Sequence, residues 1–468
     1  MVLMKFFLTF QQKIKRWTEK QIFSSFSTIP FAIFRVGFGC VILGTIWQIF
    51  EFKALIFDVV PFYKSHEINI KLPLFFWMLV SISLILGFLT KWMSIANFVF
   101  ALCFVYPLRS FGYAFDTVFL CVSAWMLFAP IHYCFSLDSW IRTRVYKKAF
   151  PNHTISLYVQ LLILLNLTWV YVDAGIQKVQ SELWLNGIAF WRYASIPSIS
   201  TLGWQALLNH QILTKIINYA IILFQLFFPI LLIFKKIRWI VFWIGVSLHL
   251  SILLFFPIKL FSVAECLLYI FLIPNNFWNK FHKTTTEARH KNKFAHYYIY
   301  FQIYVFISYA IIWTQNPFLQ KLFSPFLVIN KPFLGIVQHY LFIDELQKQN
   351  NFTYSIVFLS DNKEIFLPVI DEEGKPDKYL TDRIWSHWDY VSNSTFYKEN
   401  ELLESSKRFI AYWIGKQKLD KVLHFKIKRK PLQVPSEWKP NIWTQNLNAG
   451  WQDYYCLKFE NGIFELEK

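Results

Sequence analysis

Nine runs of apolar residues punctuate the first two thirds of the chain, at 29–50, 73–92, 94–112, 114–135, 155–177, 213–234, 239–256, 259–274 and 296–314. Most approach the roughly 20 residues that a helix needs to span a bilayer. A chain carrying so many such runs has few options, because in lipid every backbone N–H and C=O must be satisfied within the segment itself. The deficit of charge agrees: 16% of residues are charged, against about a quarter in a soluble domain. The expected fold is an all-α polytopic membrane bundle of about nine transmembrane helices, followed by a small α+β exoplasmic domain.

The formal charge of +18 does not indicate nucleic acid. The basic residues fall in short clusters between apolar runs, which is the positive-inside pattern rather than a stripe along one surface. The clusters are Lys5, Lys13, Lys15, Arg16 and Lys20; Arg142, Arg144, Lys147 and Lys148; Lys235, Lys236 and Arg238; and Lys280, Lys283, Arg289, Lys291 and Lys293. With nine spans all four fall on one side, giving a cytoplasmic N-terminus and an exoplasmic or periplasmic C-terminal domain. The lipid bilayer of the cell (inner) membrane is thus the first expected partner. The basic N-terminal stretch has no small-residue cleavage site and does not read as a signal peptide. The cysteines form no CxxC or Cys/His cluster, so no metal site is expected. A Lys-, Ile- and Phe-rich composition fits an AT-rich bacterial genome.

Five segments follow: a cytoplasmic amphipathic stretch at 1–27, a transmembrane domain at 28–275, a cytoplasmic basic loop at 276–295, a last transmembrane helix at 296–314, and the exoplasmic domain at 315–468. Within the last, Thr353–Leu359 and Lys363–Ile370 alternate like strands around a Ser-Asp-Asn turn. Tyr454–Glu460 and Ile463–Glu467 flank Asn461-Gly462, a strong hairpin signal. A helix is expected over Glu401–Lys416, with Phe409, Tyr412 and Trp413 as its apolar stripe.

Ionisable groups inside apolar runs are costly and are by default functional candidates. They are Arg35, Arg109, Asp116, Asp173, Lys178, His249 and Glu265. For Arg35, Arg109, Asp116 and Glu265 structural ion pairs are the leading expectation, with Arg35 paired to Asp116 or Glu265, and Glu265 protonated or paired to Arg35 or Arg109. In the stretch YVDAGIQK, Tyr171, Ala174, Gly175 and Lys178 share one helical face. Ala174 and Gly175 allow a backbone or a flat ligand to approach closely. Lys178 has two open readings: a span-end lysine reaching toward the headgroups, or a general base, since an ammonium half buried in apolar surroundings is disfavoured against the free amine. Trp184, Trp191, Tyr193 and Trp204 are expected to form an interfacial aromatic belt.

The stretch YVDAGIQKVQSELWLNGIAF resembles the signature of the vitamin K-dependent gamma-carboxylase family and its bacterial relatives, the HTTM (horizontally transferred transmembrane) domain proteins. FRVGFG at 34–39, LGFLTK at 86–91, SLDSW at 136–140 and FSVAECLLYIFLIP at 261–274 match in order, over about residues 28–275. The resemblance implies that Lys178 is the base that deprotonates a reduced naphthoquinone of the vitamin K or menaquinol type. Oxygen then yields a strongly basic alkoxide, which removes a proton from a glutamate side chain, and the carbanion captures carbon dioxide. Tyr171, Ala174, Gly175, Trp184 and His249 are the implied quinone-binding residues, and an exoplasmic protein or peptide is the implied substrate.

Two departures bear on that chemistry. The carboxylases carry Asn-Asn-His, whose histidine assists carboxylation, where this chain has Gly112-Tyr-Ala-Phe-Asp116, and the first of two adjacent lysines is Gln177 here. The resemblance therefore implies a retained base without the group that handles the carbanion. Two other functions compete: a non-catalytic membrane-anchored binding or assembly protein presenting its exoplasmic domain, and a transporter using Asp173, Glu265 and His249. The latter lacks the duplicated halves that transporters often show.

Overall fold

The computed structural model describes residues 25–58, 70–105, 108, 111–148, 154–281, 304, 318, 321–322, 351–360, 363–394, 399–419 and 422–467. A short strand β1 (Ser25–Ser27) leads into α1 (Ile29–Glu51), which opens on Pro30, a residue suited to a first helical turn. After the short α2 (Lys53–Phe57) come α3 (Lys71–Leu86), α4 (Thr90–Phe104) and α5 (Ala114–Met126), then the exposed α6 (Leu137–Arg144). Strand β2 (Thr154–Ser156) pairs antiparallel with β1 and leads into α7 (Leu157–Gln180). Three short helices, α8 (Glu182–Leu185), α9 (Ala189–Ala194) and α10 (Gln205–Leu208), precede α11 (Gln211–Ile233) and α12 (Arg238–Phe255). The body closes with α13 (Lys259–Leu268), a 3₁₀ turn over Tyr269–Leu272 and α14 (Asn275–Trp278).

Among the described residues three helices are long and apolar enough to cross a membrane: α1, α11 (to Leu232) and α12. They bury themselves very differently. Most of α1 is enclosed between α3 and α13, whereas α11 and α12 expose most of their apolar surface. On α11 the exposed Ile216, Leu223, Phe227 and Ile230 recur at helical spacing, the mark of a lipid-facing stripe. At 16, 15 and 13 residues, α3, α4 and α5 are shorter than expected: at 1.5 Å per residue they extend only about 20–24 Å. The ninth expected span, 296–314, lies outside the described residues apart from Tyr304.

At the end of the bundle where α1 begins, three of the sequence motifs meet. The Asp138 carboxylate accepts the backbone N–H groups of Leu89 and Thr90, both at 2.8 Å, and so caps α4 from another segment. Asp138 N–H donates to the Gly87 carbonyl at 2.9 Å, and Arg35 Nη2 donates to the Phe135 carbonyl at 2.5 Å. These motifs are thus structural, tying the α3–α4 turn to the entry of α6.

The C-terminal domain is a five-stranded antiparallel sheet in the order β4-β3-β5-β6-β7, with β3 (Phe352–Ser360), β4 (Lys363–Phe366), β5 (Leu423–Pro431), β6 (Gln452–Glu460) and β7 (Ile463–Glu467). Two helices, α15 (Asp382–Ser394) and α16 (Glu399–Gln417), bury Trp388, Phe409 and Ile410, and α17 (Ile442–Leu447) precedes β6. Both expected hairpins form. Asn461 and Gly462 take φ of 50° and 82°, turning β6 into β7. The expected stripe of α16 divides its work: Phe409 and Trp413 pack within the domain, while Tyr412 meets Phe52 of the helical body at 5.6 Å.

This domain sits on the end of the bundle where α1 finishes. Gln48 Nε2 donates to the Thr381 carbonyl at 2.9 Å, Trp385 Nε1 to Ser198 O at 3.0 Å, Trp438 Nε1 to Leu208 O at 3.1 Å and Asn446 Nδ2 to Ser195 O at 3.1 Å. Every acceptor or donor on the body side belongs to a segment at that end. The sheet domain is therefore docked, not suspended from a linker.

Candidate functional site

The face of α7 read from sequence opens onto a cavity of about 110 Å³ inside the helical body. Tyr171, Ala174 and Lys178 line one wall. Ile221 and Gln225 of α11, Leu248 and His249 of α12, Phe261 and Glu265 of α13, and Trp184, Phe190 and Tyr193 of the α8–α9 segment complete it. Local chemistry fixes that last segment. Ser181 caps α8 by accepting the Trp184 N–H, and Asn218 Nδ2 of α11 holds the Trp184 carbonyl at 2.9 Å. Trp184 is thereby presented to Lys178, whose Nζ lies 5.0 Å from the indole centroid. The side chain of Lys178 is buried, and its Nζ donates to the Ala174 carbonyl of its own helix at a long 3.4 Å. The headgroup-reaching reading of Lys178 does not fit this burial.

Deeper in the cavity, Tyr171 Oη is hydrogen-bonded to His249 Nε2 at 2.6 Å and also to the Tyr269 hydroxyl. Tyr269 reaches it because Gly245 lacks a side chain: a Cβ there would stand 1.9 Å from the Tyr269 ring. Nδ1 of His249, Oε1 of Gln225 and both carboxyl oxygens of Glu265 are buried without a hydrogen-bond partner among the described residues. Such groups normally find a partner in protein, water or ligand.

Of the residues singled out in sequence, Tyr171, Ala174, Lys178, Trp184 and His249 are brought together here. Gly175 is not among the lining residues. It lets α7 approach α11, since a Cβ would lie 2.9 Å from Leu226 Cδ2 and 3.2 Å from Leu226 N. Of the expected ion-pair residues, Asp116 does form one, with a partner that sequence did not offer. Arg35 is committed to the Phe135 carbonyl at the opposite end of the bundle, and Asp116 pairs with Arg383 of the sheet domain. Glu265 faces the cavity instead of an arginine, and Arg109 lies outside the described residues. The aromatic belt is corrected. Trp184, Trp191 and Tyr193 are buried within the protein, and only Trp204 is exposed. The sheet domain covers this region, so Trp191 meets Trp438 at 6.4 Å rather than lipid. Sequence reasoning passed over Tyr269 and Gln225, although a glutamine in the apolar run LFQLFF is itself a signal.

The Gly112–Asp116 segment, which differs from the carboxylase pattern, has a structural use. Arg383 Nη2 and Nη1 engage the two Asp116 oxygens at 2.5 and 2.9 Å, and Nη1 also donates to Phe111 O at 2.8 Å. Asp116 in turn accepts the Tyr113 N–H at 3.0 Å, closing the capping box of α5. One residue earlier, Asp382 N–H donates to Pro257 O at 2.6 Å, and its carboxylate accepts the Leu260 N–H at 2.8 Å. The sheet domain thereby caps α13, the helix that carries Glu265. Burial pushes the Asp382 carboxyl up to about 6, against the opposing pull of the backbone N–H groups of Leu260 and Phe261.

Residues 23–278 match the family model described as the HTTM domain, more than half of the chain. The chain belongs to the HTTM domain family. No curated protein and no solved structure matches it. The HTTM match runs from just before α1 to the last residue of α14, so it contains the whole cavity wall, while the sheet domain with Arg383 lies beyond it. Membership and the apolar helices make this a membrane protein.

Proposed function

We propose that the cavity binds a reduced naphthoquinone and that Lys178 takes a proton from its hydroxyl, so that the protein oxygenates a quinol as the gamma-carboxylases do. The observation that carries this reading is the placement of Lys178: buried, within cation–π distance of Trp184, and, among the described residues, hydrogen-bonded at its Nζ only by a long bond to its own helix. No carboxylate forms a salt bridge with Lys178 among the described residues, and an ammonium held in an apolar cavity is costly to keep. The lining suits the ligand: apolar walls from Ile221, Leu248 and Phe261 accommodate a flat ring, and few polar groups converge on it. Once deprotonated, the quinol supplies with oxygen the strong base of the carboxylase reaction. Asp116, in the segment where the carboxylases carry their histidine, is tied to Arg383 and is not among the cavity-lining residues. We therefore favour quinol oxygenation without glutamate carboxylation.

In this reading the eight principal described helices and residues 296–314 all enter the membrane. The end carrying Arg142, Arg144, Lys236 and Arg238 is cytoplasmic, and the sheet domain is exoplasmic. Lys178 then lies at the exoplasmic end of α7, beneath the docked domain. Purified protein given reduced menaquinone or vitamin K hydroquinone and oxygen should form the epoxide, and Lys178→Ala should lose it. Well-folded wild type that forms no epoxide from either quinol would remove Lys178 as a quinol base, and the binding or assembly reading would take its place.

A further inference from the structure

We propose that Glu265 is a second ligand-anchoring residue of this cavity, hydrogen-bonding the hydroxyl of the bound diol that lies away from Lys178. The inference rests on the quinol reading of the site and extends it to the far end of the ligand. Glu265 is 1% exposed, it lines the same cavity as Lys178, and neither of its carboxyl oxygens has a hydrogen-bond partner among the described residues. Of the arginines that sequence offered as partners, Arg35 donates to the Phe135 carbonyl at the opposite end of the bundle, and Arg109 lies outside the described residues.

A buried carboxyl group with no protein partner is destabilising in a fold, whichever protonation state it holds. Its presence is explained if a ligand completes it. The neighbours point the same way. His249 and Gln225 line the same cavity, and among the described residues His249 Nδ1 and Gln225 Oε1 are likewise buried without a hydrogen-bond partner, whereas Nε2 of that histidine is already used by Tyr171.

Depth separates the two poles. Lys178 is two residues from the end of α7, Glu265 is six residues into α13 and His249 six residues before the end of α12. His249 meets the Tyr171 hydroxyl, and Tyr171 stands seven residues before Lys178 on α7, about 10 Å deeper at 1.5 Å per residue. A flat apolar molecule with a hydroxyl at each side meets Lys178 with one and the Glu265 pole with the other. A ligand with one hydroxyl satisfies only one pole.

The test uses the full chain in lipid nanodiscs under anaerobic conditions, with two probes: 1,4-dihydroxy-2-methylnaphthalene and its 4-methyl ether. Wild type is expected to bind the diol about tenfold more tightly than the ether, as a hydrogen bond to a carboxyl group warrants. Glu265→Leu should abolish that preference, leaving ether affinity within about twofold, and Glu265→Gln should retain part of it. Glu265→Leu should also unfold at a temperature no lower than wild type, because an apolar side chain replaces an unpartnered carboxyl. A preserved tenfold preference in Glu265→Leu overturns the proposal while the site reading stands. A marked fall in unfolding temperature would also overturn it, because Glu265 would then be structural. If wild type binds neither probe, the quinol reading itself falls and takes this proposal with it.

Discussion

Replacing Arg383 with alanine strips Asp116 of both its guanidinium contacts while leaving the carboxylate buried at the start of α5. Removing one member of a buried, bidentate pair costs about 3–5 kcal/mol, chiefly because the remaining charge is left uncompensated. Here the Phe111 carbonyl loses its donor as well. If that cost falls on docking of the sheet domain, 3 kcal/mol raises the undocked population by about 100-fold. Two amides report docking directly: Asp382 N–H, bound to Pro257 O, and Leu260 N–H, bound to the Asp382 carboxylate. Hydrogen exchange at both should accelerate about 100-fold in Arg383→Ala, while amides in the middle of α1 stay unchanged. The double variant Asp116→Asn/Arg383→Met removes both charges and keeps an acceptor for the Tyr113 N–H. Its exchange should be less than about tenfold faster than wild type, since neutralising both partners avoids the orphaned charge. Exchange in Arg383→Ala within about threefold of wild type would refute the reasoning, and so would a double variant as exposed as the single one.

Asp382 gives docking a pH dependence. Its carboxyl is raised to about 6 in the folded protein, against about 3.9 for an unfolded aspartate. Between those values the folded state holds a proton that the unfolded state releases, so stability falls as pH rises from about 4 to about 6. The total change is on the order of 3 kcal/mol, and Asp382→Asn should flatten that slope in thermal unfolding between pH 4 and 7. Gly245→Ala would place a Cβ against the Tyr269 ring, so overpacking should cost about 1–3 kcal/mol by denaturation and disturb the Tyr171–Tyr269 contact. Tyr171→Phe removes the hydroxyl shared by His249 and Tyr269. It should cost about 1–3 kcal/mol in unfolding free energy through the groups left unpaired, and a neutral effect would show that the contact does not form.

What could be read from sequence divides along local and long-range lines. The apolar runs up to residue 274, the Asn461-Gly462 hairpin and the shared face of Tyr171, Ala174 and Lys178 depend on periodicity within a few turns, and each has a helix, turn or wall as its counterpart among the described residues. Arg35, Asp116 and Glu265 were correctly singled out as buried charges, yet their partners were not legible, because the ion pair to Asp116 comes from Arg383, 267 residues away. Gly175 stayed between two roles for a related reason: a small residue on a helix serves a ligand or a neighbouring helix equally well, and only the position of Leu226 shows the second. The aromatic residues after α7 looked interfacial because nothing in their own segment announces that another domain will cover them. The same device also appears at both ends of the bundle without a local signature, with Asp138 capping α4 and Asp382 capping α13 across long chain separations.

The central claim is that the cavity beside Lys178 is a quinol site, and photoaffinity mapping tests it most directly. An azido-naphthoquinone, reduced and irradiated in nanodiscs, should label peptides containing Tyr171–Trp184 and Phe261–Tyr269, with unlabelled vitamin K hydroquinone suppressing both. Label confined to the lipid-facing stripe of α11 or to the sheet domain, or label that the unlabelled quinol does not displace, would contradict it.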